Sequence, residues 1–600
     1  MSRAETSKFF SRALFLGGFQ ICLVLLLFSR MVYLQIIEGS YYRVLADGNR
    51  IVTRPLVPLR GRVYDKNGIL LVENETNFKL LLLADKKKDI EVALASLEAV
   101  ISLSPEAKEE ILKKAQKRQG VESLVIKDNL TWDEVSAIEL HAMDLPGMTI
   151  EIGSKRRYPF AAEGAHLLGY VSSPSEKEEE EDPSLGIPGL KIGKSGFEKY
   201  LNQRLKGTPG YSALEVNARR KIVRELNQIE SIPGEDICLT IDERLQRYAY
   251  EVLSEHESAA AVVLDIQTGN ILALVSFPSF DPNLFTLGIN RNDWKDLQNN
   301  PYVPLTNKAI SGLYPPGSTV KIFVALAALE AGIIDKTTSV QCPGYYYVGD
   351  HPFHCYKKEG HGTVNVLRAI SESCDVFFYE IAKRVGIDRL STYYKNLGLG
   401  EGGIEGFPHS RKGLVPTKVW KREKKKEKWT LSDTILTGIG QGYISATPME
   451  LAIAIARIAG GGKKVVPQLE KGTAHPFPDL GFNPDHLDLV KEAMAHTANS
   501  PSGTAYPGRI LVEGKEMGGK TGTSQVRRIT LSQRRAGQTK TTNLPWEYRE
   551  HGLFIGYAPL ENPRYAIAVI IEHAGGARSA VIAARDILLK AQALEEEPPL

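Results

Sequence analysis

From Ala13 to Ser29 the chain reads ALFLGGFQICLVLLLFS without a charge, and RMVYLQI carries the apolar character past Arg30, whose long side chain can reach a headgroup. That length crosses a bilayer. Arg3, Lys8 and Arg12 precede it, and no small-x-small cleavage site follows it directly. The pattern predicts a cytoplasmic tail at 1–12, an uncleaved single-pass anchor at 13–36 with its N-terminus inside, and an exported remainder. Beyond the anchor, RPLVPLRGRVYDKNGILLVEN sets a Lys66-Asn67-Gly68 turn between two strand-like runs. A helical period follows over Ile90–Lys117, and EKEEEEDP from Glu176 reads as a solvated acidic loop.

The Pro-Gly break in SIPGEDI (Ser231–Ile237) predicts a boundary. It separates a mixed α/β pedestal, 37–233, from a second domain, 234–595. In that domain AAAVVLDIQTGNILALVSF reads as a hairpin through Gln267-Thr268-Gly269-Asn270. HGLFIGYAPLENPRYAIAVIIEH repeats the design around Asn562-Pro563, and SAVIAARDILLKAQAL closes the chain as an amphipathic helix. Between the hairpins, roughly 315–500 reads as a long helical block. The expected class is α+β, with an antiparallel sheet flanked by helices.

Composition changes this picture little. Six hundred residues exceed one compact core. A net charge of +3 offers no basic field for a nucleic-acid partner. One motif needs excluding. In GKEMGGKTGTSQV, Gly514, Gly519, Lys520 and Thr521 satisfy the phosphate-loop pattern G-x-x-x-x-G-K-[ST]. A phosphate loop needs a parallel strand before it and a helix opening at its Lys-Thr. Here GTSQVRRITL follows, with glycine at once and no apolar stripe of helical period, so no nucleotide is expected.

The Lys-Thr-Gly finds partners elsewhere. In YPPGSTVKIFVALAALEAG, Ser318 opens a helix that is apolar on nearly every face, and Lys321 shares its face three residues on. A serine hydroxyl needs a base before it attacks. A partly desolvated lysine has a lowered pKa and can be that base. The helix N-terminus also offers free N–H groups to a developing oxyanion. In SESCDVFFYEIAKRVG, Ser373 and Asp375 fall at a helix bend. Alone, each motif is also a helix cap with a surface lysine or acid. The ordered trio S-x-x-K, S-x-[ND], K-T-G is that of penicillin-binding proteins and class A β-lactamases.

With RGRVYDKNG (Arg60–Gly68), GKSGFEKYLNQRLKGTPG (Gly193–Gly210), LTIDERLQ, YPPGSTVK, SCDVFFY, GIGQGYISATPMELA, GKTGTSQ and HGLFIGYAP in that order behind an anchor, the chain resembles the class B penicillin-binding proteins of the elongation type. The resemblance spans most of the exported chain. It implies a five-stranded sheet in a transpeptidase domain and D,D-transpeptidation of peptidoglycan stem peptides ending in D-Ala-D-Ala, with a carboxypeptidase side activity. Ser318 would be the nucleophile and Lys321 its base. Ser373 and Lys520 would relay the proton to the leaving amine, with Asp375 beside Lys321. Thr521, Gly522 and Thr523 would bind substrate, and the backbone N–H groups of Ser318 and Thr523 would form the oxyanion hole. β-Lactams would acylate Ser318. The resemblance also implies a RodA-like membrane glycosyltransferase as partner, docked through anchor and pedestal at the cytoplasmic membrane. The usual Asn of the S-x-[ND] motif is Asp375 here, which can accept from Lys321 but cannot donate an amide hydrogen bond.

Cys342, Cys355, His361 and Cys374 lie close in sequence. Three thiols and an imidazole are the ligand set of a structural zinc site. A disulfide between two of the cysteines, or three buried free thiols, fits the same residues. Some elongation-type members are similar in holding zinc near the active site. His351, His354 and Asp350 are spare ligands. The basic run KVWKREKKKEKW (Lys418–Trp429) reads as a solvated loop, or as a contact with anionic headgroups or glycan-strand carboxylates. A septal class B enzyme, a serine β-lactamase and a β-lactam sensor are the rival readings.

Overall fold

A computed structural model describes residues 3–39, 51–82, 87–117, 124–145, 147–187, 189–216, 222–472, 476–527 and 544–596. Helix α1 (Arg3–Val32) runs into one π-helical turn, Tyr33–Ile37. Its Phe10–Ile37 stretch is long and apolar enough to cross a membrane, and its most apolar window is not buried by any of the described residues.

The second domain is built on five antiparallel strands: β1 (Ala259–Asp265), β2 (Ile271–Phe277), β3 (Gly518–Ser524), β4 (His551–Ala558) and β5 (Tyr565–Ile571). Their order is β2-β1-β5-β4-β3, which leaves β3 at an edge. Both expected hairpins are present, β1–β2 and β4–β5. Every residue of β1 and β5 is buried, because a strand sends alternate side chains to opposite faces and both faces are covered. Ala260, Val262 and Leu264 join one core, with α2 (Lys321–Glu330) and α4 (Asp375–Val385). Ala259, Ala261 and Val263 join the other, with the Glu243–Ser254 helix and α5 (Arg578–Glu596). The short α3 (Val366–Ser371) precedes α4.

Lys520 and Thr521 lie inside the edge strand β3, paired with Ile555 and Phe554 of β4. No helix opens at them, as a phosphate loop would require.

Four expectations need correction. The block at 315–500 is not helical throughout: Ser339–Cys342 pairs with Gly362–Asn365, and Tyr345–Val348 pairs with His351–His354. Ile90–Lys117 is two helices, Lys87–Glu98 and Pro105–Lys117, because Ser104-Pro105 restarts the chain. The acidic loop is a short helix, Glu176–Glu181, held by a Ser175–Glu178 capping box. The basic run is half helix, Lys418–Lys424, and its Lys421 is buried on Asp433 (2.8 Å). In the pedestal, Leu70–Leu82 pairs with Met148–Arg157, and the turn at Lys66-Asn67-Gly68 forms as expected. Fully buried Glu198 sits between Arg60 and Arg156.

Candidate active site

One strand edge and two helix starts bring the three motifs together. Gly317 adopts φ +56°, and a β-carbon there would stand 2.6 Å from the Thr523 carbonyl oxygen, so glycine alone fits this turn against β3. Ser318 follows in a 3-10 turn, Gly317–Val320, that continues into α2. From Lys321 to Leu329 every residue of α2 is buried, and Lys321 is not exposed at all.

A buried ammonium must use its three donors. Lys321 Nζ donates to Asp375 Oδ1 (2.7 Å), the Ser373 carbonyl oxygen (2.8 Å) and Ser373 Oγ (3.1 Å). Among the described residues no hydrogen bond joins it to the Ser318 hydroxyl. Ser373 has φ +56° in the break between α3 and α4, a left-handed conformation costly for serine. The strain turns both of its oxygens onto Lys321. Asp375 opens α4, and its second oxygen, Oδ2, accepts the Tyr356 N–H (2.9 Å). Both carboxylate oxygens are therefore acceptors in fixed use.

Lys520 is fully buried on β3. Burial, and then the Lys321 charge, pull its pKa well below the ordinary lysine value, while Asp375 opposes them. Nζ donates to the Thr521 carbonyl oxygen (3.2 Å). The Thr521 hydroxyl shares a hydrogen bond with Thr504 (2.7 Å), and the Thr504 N–H donates to the Ser371 carbonyl oxygen (3.2 Å). Thr504 thus ties β3 to the end of α3. Gln441 donates to the Thr523 carbonyl oxygen (3.2 Å). Motif reading did not single out Thr504, which acts through its hydroxyl and N–H, Gln441, which acts through its side-chain amide, or Tyr356, which gives Asp375 a backbone N–H.

A cavity of about 1420 Å³ opens over these residues, lined by Ser318, Ser373, Asp375, Thr504, Thr521 and Thr523 among others. Lys321 and Lys520 lie behind its wall. Gly522 also stays off the lining. A β-carbon on it would fall 2.7 Å from Thr319 Cγ2 and 3.0 Å from the Pro316 carbonyl oxygen, so it serves close packing of β3 on the Ser318 turn.

The four candidate metal ligands converge beside this site. One ligand atom each from Cys342, Cys355, His361 and Cys374 lies within 4.8 Å of the others, and all four residues are buried. His361 Nδ1 stands 3.6 Å from Cys342 Sγ and 3.4 Å from Cys355 Sγ. Tetrahedral zinc, with bonds of about 2.3 Å to sulfur and about 2.0–2.1 Å to nitrogen, separates the two atoms by about 3.5 Å. The donor set therefore fits a tetrahedral metal. All three cysteines are free thiols, with no disulfide among them. The Cys374 thiol hydrogen-bonds Cys355, which lowers the Cys355 pKa and raises that of Cys374. His351 and His354 stand instead on the cavity lining, outside this cluster.

The family model of the penicillin binding protein transpeptidase domain matches residues 259–590, more than half of the chain and all five sheet strands. The chain belongs to the penicillin-binding protein transpeptidase family. A second family model, the penicillin-binding protein dimerisation domain, matches residues 55–239 in the pedestal. Among curated members, the peptidoglycan D,D-transpeptidase MrdA of Acinetobacter baumannii is 38% identical over 94% of this chain and 85% of its own length. The MrdA of Escherichia coli K12 is 36% identical over 96% and 93%. A solved structure of penicillin-binding protein PBP2 from Helicobacter pylori, in complex with MreC, superposes with TM-score 0.80 at 30% identity, covering 91% of this chain and 99% of that one.

Proposed function

We propose that this chain is the peptidoglycan D,D-transpeptidase of the elongation type, anchored by α1 with its catalytic domain outside the cytoplasmic membrane. One observation carries the reading. Ser318, Ser373, Thr521 and Thr523 open on a single cavity with two buried lysines directly behind it. The relatives that match nearly the whole chain are named for this reaction.

The chemistry follows from the positions. Ser318 Oγ attacks the carbonyl carbon of the penultimate D-Ala, and its proton passes to Lys321 acting as a neutral amine, so that the ammonium held by Asp375 and Ser373 is the protonated form this step produces. The backbone N–H groups of Ser318 and Thr523 hold the oxyanion. The tetrahedral species collapses, the C–N bond breaks, and the departing D-Ala nitrogen takes a proton relayed through Ser373 and Lys520. Lys520 suits the relay because burial already weakens its hold on its own proton. Thr521 and Thr523 bind the terminal carboxylate. An amine from a neighbouring stem peptide then attacks the acyl carbon, loses a proton to the same relay and frees Ser318. Water in place of that amine gives the carboxypeptidase side reaction.

Zinc is the metal we assign to Cys342, Cys355, His361 and Cys374, on donor chemistry and spacing. When bound it supplies a crosslink rather than reaction chemistry, fixing Cys374 and hence its neighbours Ser373 and Asp375. The pedestal and anchor are assigned to docking a RodA-like glycosyltransferase.

Intact-mass spectrometry after incubation with penicillin tests the reading. The full chain is expected to carry a lasting adduct, and a Ser318→Ala chain none. Rapid loss of penicillin without an adduct would make the protein a β-lactamase. Neither adduct nor turnover would overturn the site.

A further inference from the structure

The wall between the Cys/His cluster and the cavity has a second, outward face. Tyr345–Val348 and His351–His354 form a hairpin whose roots are Cys342 and Cys355, two of the metal-ligand candidates. His351, Pro352, Phe353 and His354 line the catalytic cavity. On the other side a separate groove of about 480 Å³ opens against α4. Its rim is aromatic: Tyr345 and Tyr347 are 46% and 61% exposed, with ring centroids 5.4 Å apart. Its floor is polar. The Tyr346 hydroxyl donates to Glu380 (2.7 Å), Arg384 Nε donates to the same carboxylate (2.7 Å), and Gln341 stands at the edge.

Two exposed tyrosines two residues apart on one strand face make an aromatic pair that a ligand can cover. The two exposed rings stand edge to face on one side of the strand and offer apolar surface with hydroxyl edges and no charge, while Glu380 and Arg384 on the other side neutralise each other. That chemistry fits a neutral ligand with alternating C–H faces and hydrogen-bonding edges. A pyranose ring bearing hydroxyl and acetamido groups is such a ligand. An anionic phosphate or an extended apolar helix is not. The volume lies within the range of ordinary ligand sites.

Position decides which sugar polymer. Tyr345 pairs with His354 and Tyr347 with Pro352, so groove and cavity are separated by one strand pair, about 5 Å between backbones. A polymer seated in the groove lies within side-chain reach of the cleft where, on the function proposed above, its peptide reacts. We propose that the tyrosine groove binds the glycan backbone of a peptidoglycan strand and so delivers the attached stem peptide to Ser318. The inference rests on the proposed transpeptidase reading. It adds a sugar-binding site that is not part of the catalytic cavity.

The test uses the detergent-solubilised full chain and peptide-free glycan strands, prepared by amidase removal of every stem peptide, with binding read by saturation-transfer NMR and a titration. The native chain is expected to bind them. A Tyr345→Ala/Tyr347→Ala chain should bind them about tenfold or more weakly, the loss expected for two anchoring aromatic residues. Its penicillin acylation rate should stay within twofold of the native one, which also reports that it folds. Cross-linking of glycan-borne peptides should fall through a raised KM, while a sugar-free stem-peptide analogue should react as with the native chain. Absence of binding to peptide-free strands overturns the inference. Equal binding by the double variant does so too. Unaltered glycan binding with a weakened co-purifying membrane protein assigns the groove to a protein partner and likewise overturns it. Failure of the native chain to acylate would sink the transpeptidase reading instead, and glycan binding would be read separately from it.

Discussion

Asp375→Asn looks conservative and is expected not to be. The two side chains have the same shape, but Asp375 accepts at both oxygens, from Lys321 Nζ (2.7 Å) and from the Tyr356 N–H (2.9 Å). An Asn amide has one acceptor end. Whichever way it is turned, its NH₂ faces a donor. If it faces Lys321, a fully buried ammonium loses its carboxylate and keeps only the two Ser373 oxygens. A lost hydrogen bond to a charged group costs about 1.5–3 kcal/mol, and breaking a buried ion pair from one side costs about 3–5 kcal/mol. Asp375 is partly open to the cavity, its side chain 13% exposed. Water can then take up part of the deficit, and the lower range, about 2–3 kcal/mol, is expected. Placed wholly in the acylation barrier, that is roughly a 30- to 150-fold loss of rate.

The assay is the second-order rate of penicillin acylation of the full chain, followed by intact mass, beside its thermal midpoint. The Asn chain should acylate at least about tenfold more slowly and melt earlier. Equal rates and equal midpoints would refute the argument. They would mean that Lys321 is held by Ser373 alone and that the Tyr356 contact carries no weight.

Further outcomes can be measured on the same preparation. In Gly522→Ala the new β-carbon meets Thr319 and the Pro316 carbonyl oxygen, so β3 must shift off the Ser318 turn; acylation should fall about tenfold and stability by about 1–3 kcal/mol. Chelation should lower the thermal midpoint and slow acylation, with zinc restoring both, and a Cys355→Ser chain should respond to neither chelator nor zinc. Acid should destabilise the fold through two buried imidazoles. Burial holds His166 down at about 4, and burial with the His573 charge holds His551 at about 4. Each stays neutral in the folded chain while its unfolded counterpart takes a proton near 6.5. The unfolded state therefore binds more protons between those values, and up to about 3 kcal/mol per imidazole is lost as pH falls through that window. A thermal midpoint flat from pH 6.5 to 4 would count against this.

What could be read from the chain and what could not divides along a physical line. The two hairpins were legible because each strand feeds two cores at once. Ala260, Val262 and Leu264 serve one face and Ala259, Ala261 and Val263 the other, which leaves an unbroken apolar run in the sequence. The acidic helix carried its own signature, Ser175 followed by Glu178, beneath a charge run that suggested a loop. The tyrosine hairpin was hidden by the apolar helices around it, although Tyr345 and Tyr347 show the exposed positions of a two-residue period. The ordered motifs announced Ser318, Ser373 and Lys520, because their chemistry resides in side chains. Tyr356 was invisible for the opposite reason: it contributes an N–H that any residue except proline would supply. Its trace in the sequence is indirect. The position that usually holds Asn holds Asp375, and in the fold the second carboxylate oxygen meets that N–H.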